Sequence, residues 1–236
     1  MVLLELGELL LIVELILLIL TVYLVAISLR EARQRSKLVE QQVHATRTFS
    51  RAEYFTTVME ALGEATSYVY ATVTGTMPRE EERETIDRLL EQFRRAAKSG
   101  VKLKLLLPKD PTRLHMGYRY VEAGAEVRYS PSLLVSELRY MVVDGHTTIL
   151  GLPERRGIEE PTRKGHRIYS EGLSLLFKER FEKMWSSESS VSYEDYLRQA
   201  VEEAMASTPG VSEEHLATLL NVPPKEIREV MRRRER

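Results

Sequence analysis

The sequence contains no cysteine among its 236 residues. This absence excludes a disulfide framework, a thiolate metal site and a cysteine nucleophile, and it fits a reducing compartment or a hot one in which thiols are a liability. An excess of charge of either sign is also lacking, because 34 Lys and Arg stand against 35 Asp and Glu. A near-zero net charge gives no global attraction to nucleic acid or to an acidic surface, so any such partner must be met by a local patch. The bias of the charged residues toward Arg and Glu is typical of a thermophile.

One long apolar run lies near the N-terminus. Residues 9–29, LLLIVELILLILTVYLVAISL, contain a single charged residue, Glu14. At about 1.5 Å per residue this run crosses a hydrocarbon core of about 30 Å, which predicts a transmembrane helix within residues 1–29. Acidic residues precede the run and basic residues follow it. We therefore expect a single-pass protein of the cell membrane, with the chain from Arg30 onward on the cytoplasmic side.

Glu14 needs a reason, because a carboxyl group in the bilayer interior is costly. One interpretation is a contact between helices of an oligomer, with a protonated carboxyl sharing hydrogen bonds across the interface. The other is a shift of the helix that places Glu14 nearer the membrane surface. The segment that follows, residues 30–49, is charged and free of proline. It predicts a juxtamembrane helix that serves as a stalk or as one partner of a coiled coil.

The next part of the chain alternates between strand and helix patterns. Strands are predicted at residues 67–75, 101–108 and 126–130, with helices at 78–100 and 110–124 between them, the first of them amphipathic. This alternation indicates right-handed crossovers and a mostly parallel sheet in an α/β domain. A hairpin over residues 136–151 and a helix over 170–185 complete the pattern. The helix carries a stripe that we expect to pack on the sheet: Leu173, Leu176, Phe177, Phe181 and Trp185.

The segments VKLKLLLP, AEVRYSP, LRYMVVDGHTTILG and FKERFEKMW occur in an order that resembles one half of a phospholipase D-like domain, over residues 50–187. The signature of that family is His-x-Lys-x(4)-Asp followed by a Val-Asp-Gly turn. The overlay places Asp144 on the aspartate of the family, Arg139 on its lysine and Glu137 on its nucleophilic histidine. After the turn, GLPE stands where the family has Gly-Ser-x-Asn. The catalytic motif is therefore degenerate.

The resemblance implies a phosphodiester chemistry that this chain has lost. In the family one imidazole attacks phosphorus and a second, from the other half or another subunit, protonates the leaving group. A carboxylate at Glu137 adds negative charge where the phosphodiester oxygens would lie, which favours a protein that is not an enzyme and needs no metal or cofactor. On a strand Glu137 and Arg139 share a face, so they either pair with each other or leave Arg139 to bind an anionic ligand. Asp144 precedes Gly145 at a turn and has an ordinary role in an Asx-turn.

None of the five histidines recreates His-x-Lys, which leaves no obvious replacement nucleophile in His44, His115, His146, His166 or His215. The loop at residues 152–167 concentrates positive charge next to the motif. The basic residues of this loop either cap an anionic ligand or are simply solvated, with their positive charge balanced by the glutamates of the same loop. The anion-binding candidates are Arg139, Arg155, Arg156, Arg163 and Lys164.

Residues 192–236 predict a small all-α module after a serine-rich linker. Ser212 is a good N-cap, Asn221 and Val222 form a turn, and Pro224 starts a second helix, in a pattern that resembles a helix-turn-helix. If it reads DNA, its second helix presents Lys225, Arg228, Arg232 and Arg233. Protein docking shares the same apolar spacing, and the terminal RRRER offers an approach to anionic lipid.

Two functions follow from these features. The first is a membrane-anchored, catalytically inactive sensor, scaffold or regulator that acts as a homodimer, because a single half needs a partner to complete a two-fold site. Archaeal sugar-responsive transcription regulators also pair a phospholipase D-like domain with a helix-turn-helix, although theirs precedes the domain. The second is a divergent phosphodiesterase, a phospholipase or nuclease at the membrane surface. Position 137 discriminates between them.

Overall fold

The structure is a computed structural model that describes residues 46–74, 83–133, 138–152 and 164–234. The predicted transmembrane helix with Glu14 lies outside the described residues, as do Glu137, Arg155, Arg156 and Arg163. Within the part that is described, no helix is long and apolar enough to span a bilayer.

Eight strands and seven α-helices follow one another along the described chain. The strands are β1 (Thr46–Ser50), β2 (Tyr68–Thr72), β3 (Lys102–Pro108), β4 (Glu126–Ser130), β5 (Arg139–Val143), β6 (Thr147–Leu152), β7 (Lys164–Tyr169) and β8 (Val191–Ser192). The helices are α1 (Arg51–Glu64), α2 (Arg83–Lys98), α3 (Leu114–Glu122), α4 (Glu171–Trp185), α5 (Tyr193–Ser207), α6 (Glu213–Leu220) and α7 (Pro224–Arg234). A 3-10 turn, Pro111–Arg113, precedes α3.

The strands form one mixed sheet in the order β1-β7-β6-β5-β2-β3-β4-β8. Strands β2, β3 and β4 pair in parallel, with α2 as the crossover between β2 and β3 and α3 as the crossover between β3 and β4. The pairs β2 with β5, β5 with β6, β6 with β7 and β4 with β8 are antiparallel. The prediction of a mostly parallel sheet is therefore wrong. Residues 131–138 are too few for a crossover helix, so the chain turns back and β5 runs against β2.

Two strands occupy segments for which other structures were predicted. Strand β1 covers Thr46–Ser50, so the prediction of a helix over residues 30–49 is wrong at its C-terminal end. Strand β7 covers Lys164–Tyr169, which includes residues 164–167 at the end of the predicted basic loop, and pairs with β6 through a register that sets Arg167 opposite Ile149. Alternation of apolar and polar residues was too weak in KGHRIY to indicate a strand. This segment is a strand because it forms backbone hydrogen bonds with β6, and its own residue pattern does not predict that pairing.

One face of the sheet carries most of the core, and we call it the major face. Alternate residues of each strand, such as Leu105, Val127 and Met141, point toward α1, α2, α3 and α5. Helix α2 buries its predicted apolar residues against this face, including Ile86, Leu90 and Phe93. The predicted amphipathic pattern of α2 is confirmed.

The opposite face, the minor face, is covered by α4. Ser170 caps the helix by accepting a hydrogen bond from the backbone N–H of Leu173. Phe181 is fully buried and stacks between Tyr70 and Trp185, with ring centroids 5.1 Å and 5.5 Å away. The predicted stripe holds for Phe181 and, with partial burial, for Phe177 and Trp185. It is wrong for Leu176, which is exposed, because Ser174 takes the inward position and bonds to the hydroxyl of Thr148.

The three C-terminal helices share the core of the major face. Leu216 of α6 and Ile227 of α7 are fully buried in the same cluster as the sheet residues. Strand β8, within the predicted linker, ties the start of α5 to β4. The predicted caps and turn are present: Ser212 caps α6, and Asn221 ends it in the left-handed conformation at φ 51°. The residues 47–236 thus form one compact unit, without a separate core for the helical module.

Candidate functional site

The carboxyl ends of β2, β3 and β4 form one edge of the sheet, which we call the carboxyl edge. In open α/β sheets this edge is where ligands bind, because loops diverge from the strand ends. Strand β5 begins here, at Arg139, in register with Gly151 of β6. Of the degenerate-motif residues, Arg139 lies at this edge, Asp144 lies at the opposite one, and Glu137 is outside the described residues.

Arg139 points toward the major face. It alternates with Met141 and Val143, which belong to the core of that face. Its side chain is half-buried near Tyr54 of α1. Burial raises the pKa of Tyr54, and the positive charge of Arg139 lowers it in part, which places the guanidinium within electrostatic range of the phenol. A half-buried guanidinium next to a phenol can bind a carboxylate or a phosphate.

Buried hydroxyl groups also lie at this edge, where Thr72 and Ser130 alternate onto the minor face, opposite to Arg139. Thr72, at the end of β2, accepts a hydrogen bond from the backbone N–H of Tyr140 at 3.1 Å, which fixes the start of β5 beside β2. Thr74 and Ser130 follow β2 and end β4, and both are fully buried. None of these three residues was predicted from the sequence. The sequence does carry a signal for them, because polar residues stand directly at the ends of two strands that are otherwise apolar and buried.

Asp144 lies at the opposite edge, where it joins the β5–β6 hairpin to the start of β2, a contact that we call the latch. It lies in the left-handed region, with φ 49°, and Gly145 follows at φ 76°, a pair that is typical of a type I′ hairpin turn. Its carboxylate accepts hydrogen bonds from the backbone N–H groups of Thr66, Ser67 and Tyr68 at 2.7 to 2.9 Å, and from the Thr66 hydroxyl at 2.9 Å. The predicted Asx-turn is wrong, since the bonds go to the chain before β2.

Two opposing effects set the pKa of Asp144. Burial raises it, whereas the hydrogen bonds that Tyr68, Thr66 and Ser67 donate to the carboxylate lower it, and the net pKa lies below the ordinary value. Asp144 is therefore charged and saturated at neutral pH. Its role is to join the hairpin to β2, and its carboxylate is not available to a ligand at the carboxyl edge.

The described histidines do not gather at the carboxyl edge. His146 lies in the hairpin turn at the opposite edge. His115 contacts the carbonyl oxygen of Asn221 through Nδ1 at 3.0 Å, and burial lowers the pKa of its imidazole. His166 lies opposite Leu150, in the row of Tyr140, and so faces the minor side of the sheet, away from Arg139. His215 lies on α6.

The predicted anion-binding loop is only partly described. Lys164 begins β7 opposite Leu152. Arg167 is buried on the major face, where it pairs with Glu64 and, at 3.8 Å, with Glu60 of α1, and it stacks over the Tyr169 ring. Arg167 thus fastens β7 to α1. Across residues 46–234, as far as they are described, no cluster of three or more His, Asp or Glu side chains is placed to hold a metal ion.

The four residues proposed to contact DNA lie on α7, and two of them are held by carboxylates. Arg228 donates to Glu213 at 3.2 Å, and Lys225 lies 3.9 Å from Glu229. Arg232 and Arg233 are exposed. Arg233 lines a shallow groove between α5 and α7, together with Tyr193, Leu197 and Glu226. Burial, and secondarily Glu229, raises the pKa of Glu226.

No protein-family model matches the sequence, and no curated protein matches it either. Among solved structures, the chain is similar to the phospholipase D family member Nuc from Salmonella typhimurium, with 14% identity and a TM-score of 0.49, over 63% of this chain and 97% of that one. It is also similar to TrmBL2, an archaeal chromatin protein with a novel mode of DNA binding, at 18% identity and a TM-score of 0.43.

That similarity covers 66% of this chain and only 60% of TrmBL2. A third similar structure is the phosphatidylserine synthase of Haemophilus influenzae Rd KW20, at 13% identity and a TM-score of 0.47, over 64% of this chain and 39% of that one. At these identities and TM-scores the similarities establish neither a family nor a function for this chain.

Proposed function

We propose that this chain is a membrane-anchored, catalytically inactive phospholipase D-like protein that acts as a sensor, scaffold or regulator. The observation that carries the proposal is the make-up of the carboxyl edge. Arg139 lies where the resemblance expects a lysine, and no described histidine lies beside it on the same face of the sheet. Cleavage through a phosphohistidine needs an imidazole in reach of the phosphorus atom. This edge offers groups that bind and, among its described residues, none that attack.

The ligand that suits this edge is a small anion or an anionic polyol. Arg139 supplies positive charge, and the phenol of Tyr54 supplies a hydrogen bond. Glu137, which the resemblance places at the nucleophile position, discriminates against phosphodiesters by repulsion. A second copy of the chain completes the two-fold site, and the transmembrane helix holds the dimer at the cell membrane, with the domain on the cytoplasmic side.

We also propose that the C-terminal helices transmit ligand binding at the sheet to a partner molecule. They share the major core with the sheet, so a change at the sheet reaches α6 and α7 without crossing a linker. Because Arg228 and Lys225 already pair with Glu213 and Glu229, a protein partner is favoured over DNA. Duplex DNA is the alternative.

The full chain, reconstituted in vesicles, is assayed for hydrolysis of bis(p-nitrophenyl) phosphate, phospholipid and DNA. We expect no turnover and no acid-labile phosphoenzyme. Turnover that is lost in His166→Ala or His146→Ala, and kept in His215→Ala, would overturn the proposal in favour of a divergent phosphodiesterase. Protease added to sealed inside-out vesicles should remove the domain, and protection there would contradict the cytoplasmic orientation.

DNA binding is tested by a salt titration of the full chain against duplex DNA. If α7 binds phosphates, replacing Arg228, Arg232 and Arg233 with Ala lowers the slope of log affinity against log salt by about one for each phosphate that is no longer bound. Lys98→Ala, an exposed lysine of α2, is the matched control. No association at low salt removes the DNA alternative and leaves protein docking.

A further inference from the structure

A groove lies among the C-terminal helices, where α5 and α7 meet the end of α3. Its volume is about 80 Å³, the space of two or three water molecules at about 30 Å³ each. Val121, Leu197 and Val230 form its apolar part. A groove of this size admits the end of one long side chain or of one small ligand, and the polar groups that line it decide which chemistry fits.

Tyr193 contributes a buried hydroxyl group to this groove. The residue is 3% exposed, and among the described residues its hydroxyl oxygen has no hydrogen-bond partner. Burial raises the pKa of this phenol, and the charge of Glu226 raises it further, so the two groups are close although no hydrogen bond of good geometry joins them. A buried hydroxyl without a partner destabilises a protein, which indicates a partner that the chain itself does not supply.

Glu226 is the half-buried carboxylate of the groove, and in the described part of the chain no cation forms an ion pair with it. The basic residues of the same helix pair elsewhere, because Lys225 lies 3.9 Å from Glu229 and Arg228 donates to Glu213. Burial raises the pKa of Glu226, and the negative charge of Glu229 raises it further. The charged form of Glu226 therefore lacks the compensation that a buried carboxylate requires.

Negative charge predominates around the groove. Arg198 is held by Asp195 at 3.2 Å, and Arg233 is exposed. The phenols of Tyr118 and Tyr193 face the same carboxylates. The lining residues and the charged residues that interact with them comprise more carboxylates than cations. The carboxylates are Glu122, Glu194, Asp195, Glu226 and Glu229, and the cations are Arg198, Lys225 and Arg233.

We propose that this groove binds the end of an organic cation, an alkylammonium or a guanidinium group. A cation there compensates Glu226, and its N–H groups together with the Glu226 carboxylate offer the Tyr193 hydroxyl the partners that it lacks. The alkyl part of the ligand packs on Leu197 and Val230. The inference goes beyond the proposed function, because the groove shares no residue with the carboxyl edge and does not require a membrane anchor.

Calorimetric titration of the full chain in mild detergent tests the site, with n-butylamine and N-ethylguanidinium as probes at low ionic strength. We expect saturable binding that Glu226→Gln weakens about tenfold or more, because hydrogen bonds to a charged acceptor are the strong ones. Affinity should also fall as the pH is lowered through the pKa of Glu226, since a protonated carboxyl does not attract a cation. The matched control is Glu179→Gln, which removes the same charge from an exposed glutamate of α4 and should leave the affinity unchanged.

Tyr193→Phe distinguishes a hydroxyl that serves a ligand from one that serves the fold. We expect the variant to bind both probes about threefold or more weakly, with a urea midpoint that is not lowered, because the free protein loses no hydrogen bond. A lowered midpoint with unchanged cation binding would show that the hydroxyl is bonded within the chain, and it would overturn the proposal.

Two further probes distinguish the sources of the cation. Spermidine is a free amine, and the capped peptide acetyl-Gly-Lys-Gly-amide presents the same group on a side chain. Tighter binding of spermidine assigns the groove to a free amine, and tighter binding of the peptide assigns it to a basic side chain of a protein partner. The proposal is overturned if none of the four cations binds saturably, or if Glu179→Gln weakens binding as much as Glu226→Gln.

Discussion

The two faces of the sheet are stabilised in different ways. The major face is covered by α1, α2, α3 and α5, on which α6 and α7 pack, and it is filled mainly by aliphatic side chains, with Leu105 and Leu107 fully buried at its centre. The minor face has one helix, α4, and a small aromatic cluster around Phe181. At its rim, Lys104 and Arg128 lie over Trp185 in place of further apolar residues. The major face is stabilised by the many aliphatic side chains buried there, whereas the minor face is stabilised by a few contacts between aromatic rings.

This difference indicates a division of roles. A face closed by many helices has little surface left for a partner, whereas a face with one helix leaves the outer side of that helix and the flanking strands accessible. The exposed Leu175 and Leu176 lie on the outer side of α4, the helix that covers the minor face. Substitutions on each face test this contrast, because the change in unfolding free energy shows how much each buried side chain stabilises its face.

The largest effect is expected for Phe181→Ala on the minor face. Phe181 is fully buried and stacks on both Tyr70 and Trp185, so its removal leaves a cavity that a cluster of few residues cannot fill. We expect a loss of about 4 kcal/mol in the free energy of unfolding. Urea denaturation measures the loss, and the emission of Trp185 should shift to the red in the native state.

Leu176→Ala is the matched control on the same helix. Because Leu176 is exposed, the change in unfolding free energy should stay within about 0.5 kcal/mol. A cost for Leu176→Ala as large as that of Phe181→Ala would mean that α4 packs on the sheet through the side that carries Leu176.

The second effect concerns the major face and its C-terminal helices. Ile227 of α7 is fully buried in the same cluster as the sheet, so Ile227→Ala should cost about 3 kcal/mol and lower the stability of the whole domain. Circular dichroism and Trp185 fluorescence, which report on helices and on the minor face, should give coincident transitions. Two separate transitions, with only the first shifted, would show that the helical module folds independently.

A smaller effect is expected at the latch between the hairpin and β2. Asp144→Asn keeps the shape of the side chain but replaces one acceptor oxygen with an NH₂ group that faces backbone N–H donors. We expect a loss of about 2 kcal/mol, since bonds to a charged acceptor are stronger than neutral ones. His146→Ala, two residues away and exposed, is the control and should have little effect.

The smallest effect is the pH dependence of the same latch. The pKa of Asp144 is lowered in the folded protein, so its contribution is complete above the ordinary aspartate pKa of about 3.9 and is lost as pH falls through the lowered value. The difference in unfolding free energy between wild type and Asp144→Asn should therefore be constant above about pH 5 and shrink in more acid solution. A difference that grows on acidification would contradict the assigned direction of the pKa.

The secondary structure of this chain followed largely from local patterns. The β-branched and aromatic run around Val69, the amphipathic spacing of Ile86, Leu90 and Phe93, and the Asp144-Gly145 turn predicted β2, α2 and the β5–β6 hairpin. Ser212 and Asn221 likewise predicted the start and end of α6. Each of these signals acts within a few residues, through side-chain alternation, helix periodicity or turn conformation, so the sequence alone was sufficient for them.

The direction and neighbours of the strands were decided only by tertiary structure. Nothing local to β5 fixes its antiparallel pairing with β2, which follows from the short connection after β4 and from Asp144 accepting hydrogen bonds from residues far away in the chain. The same holds for β7, whose Arg167 is buried because Glu60 and Glu64 of α1 face it. At the candidate site, sequence identified Arg139, whereas the buried Thr72, Thr74 and Ser130 emerged from the convergence of strand ends. Which strands pair depends on contacts between segments that are distant in the sequence. The residue pattern within one segment therefore does not determine its partner or its direction in the sheet.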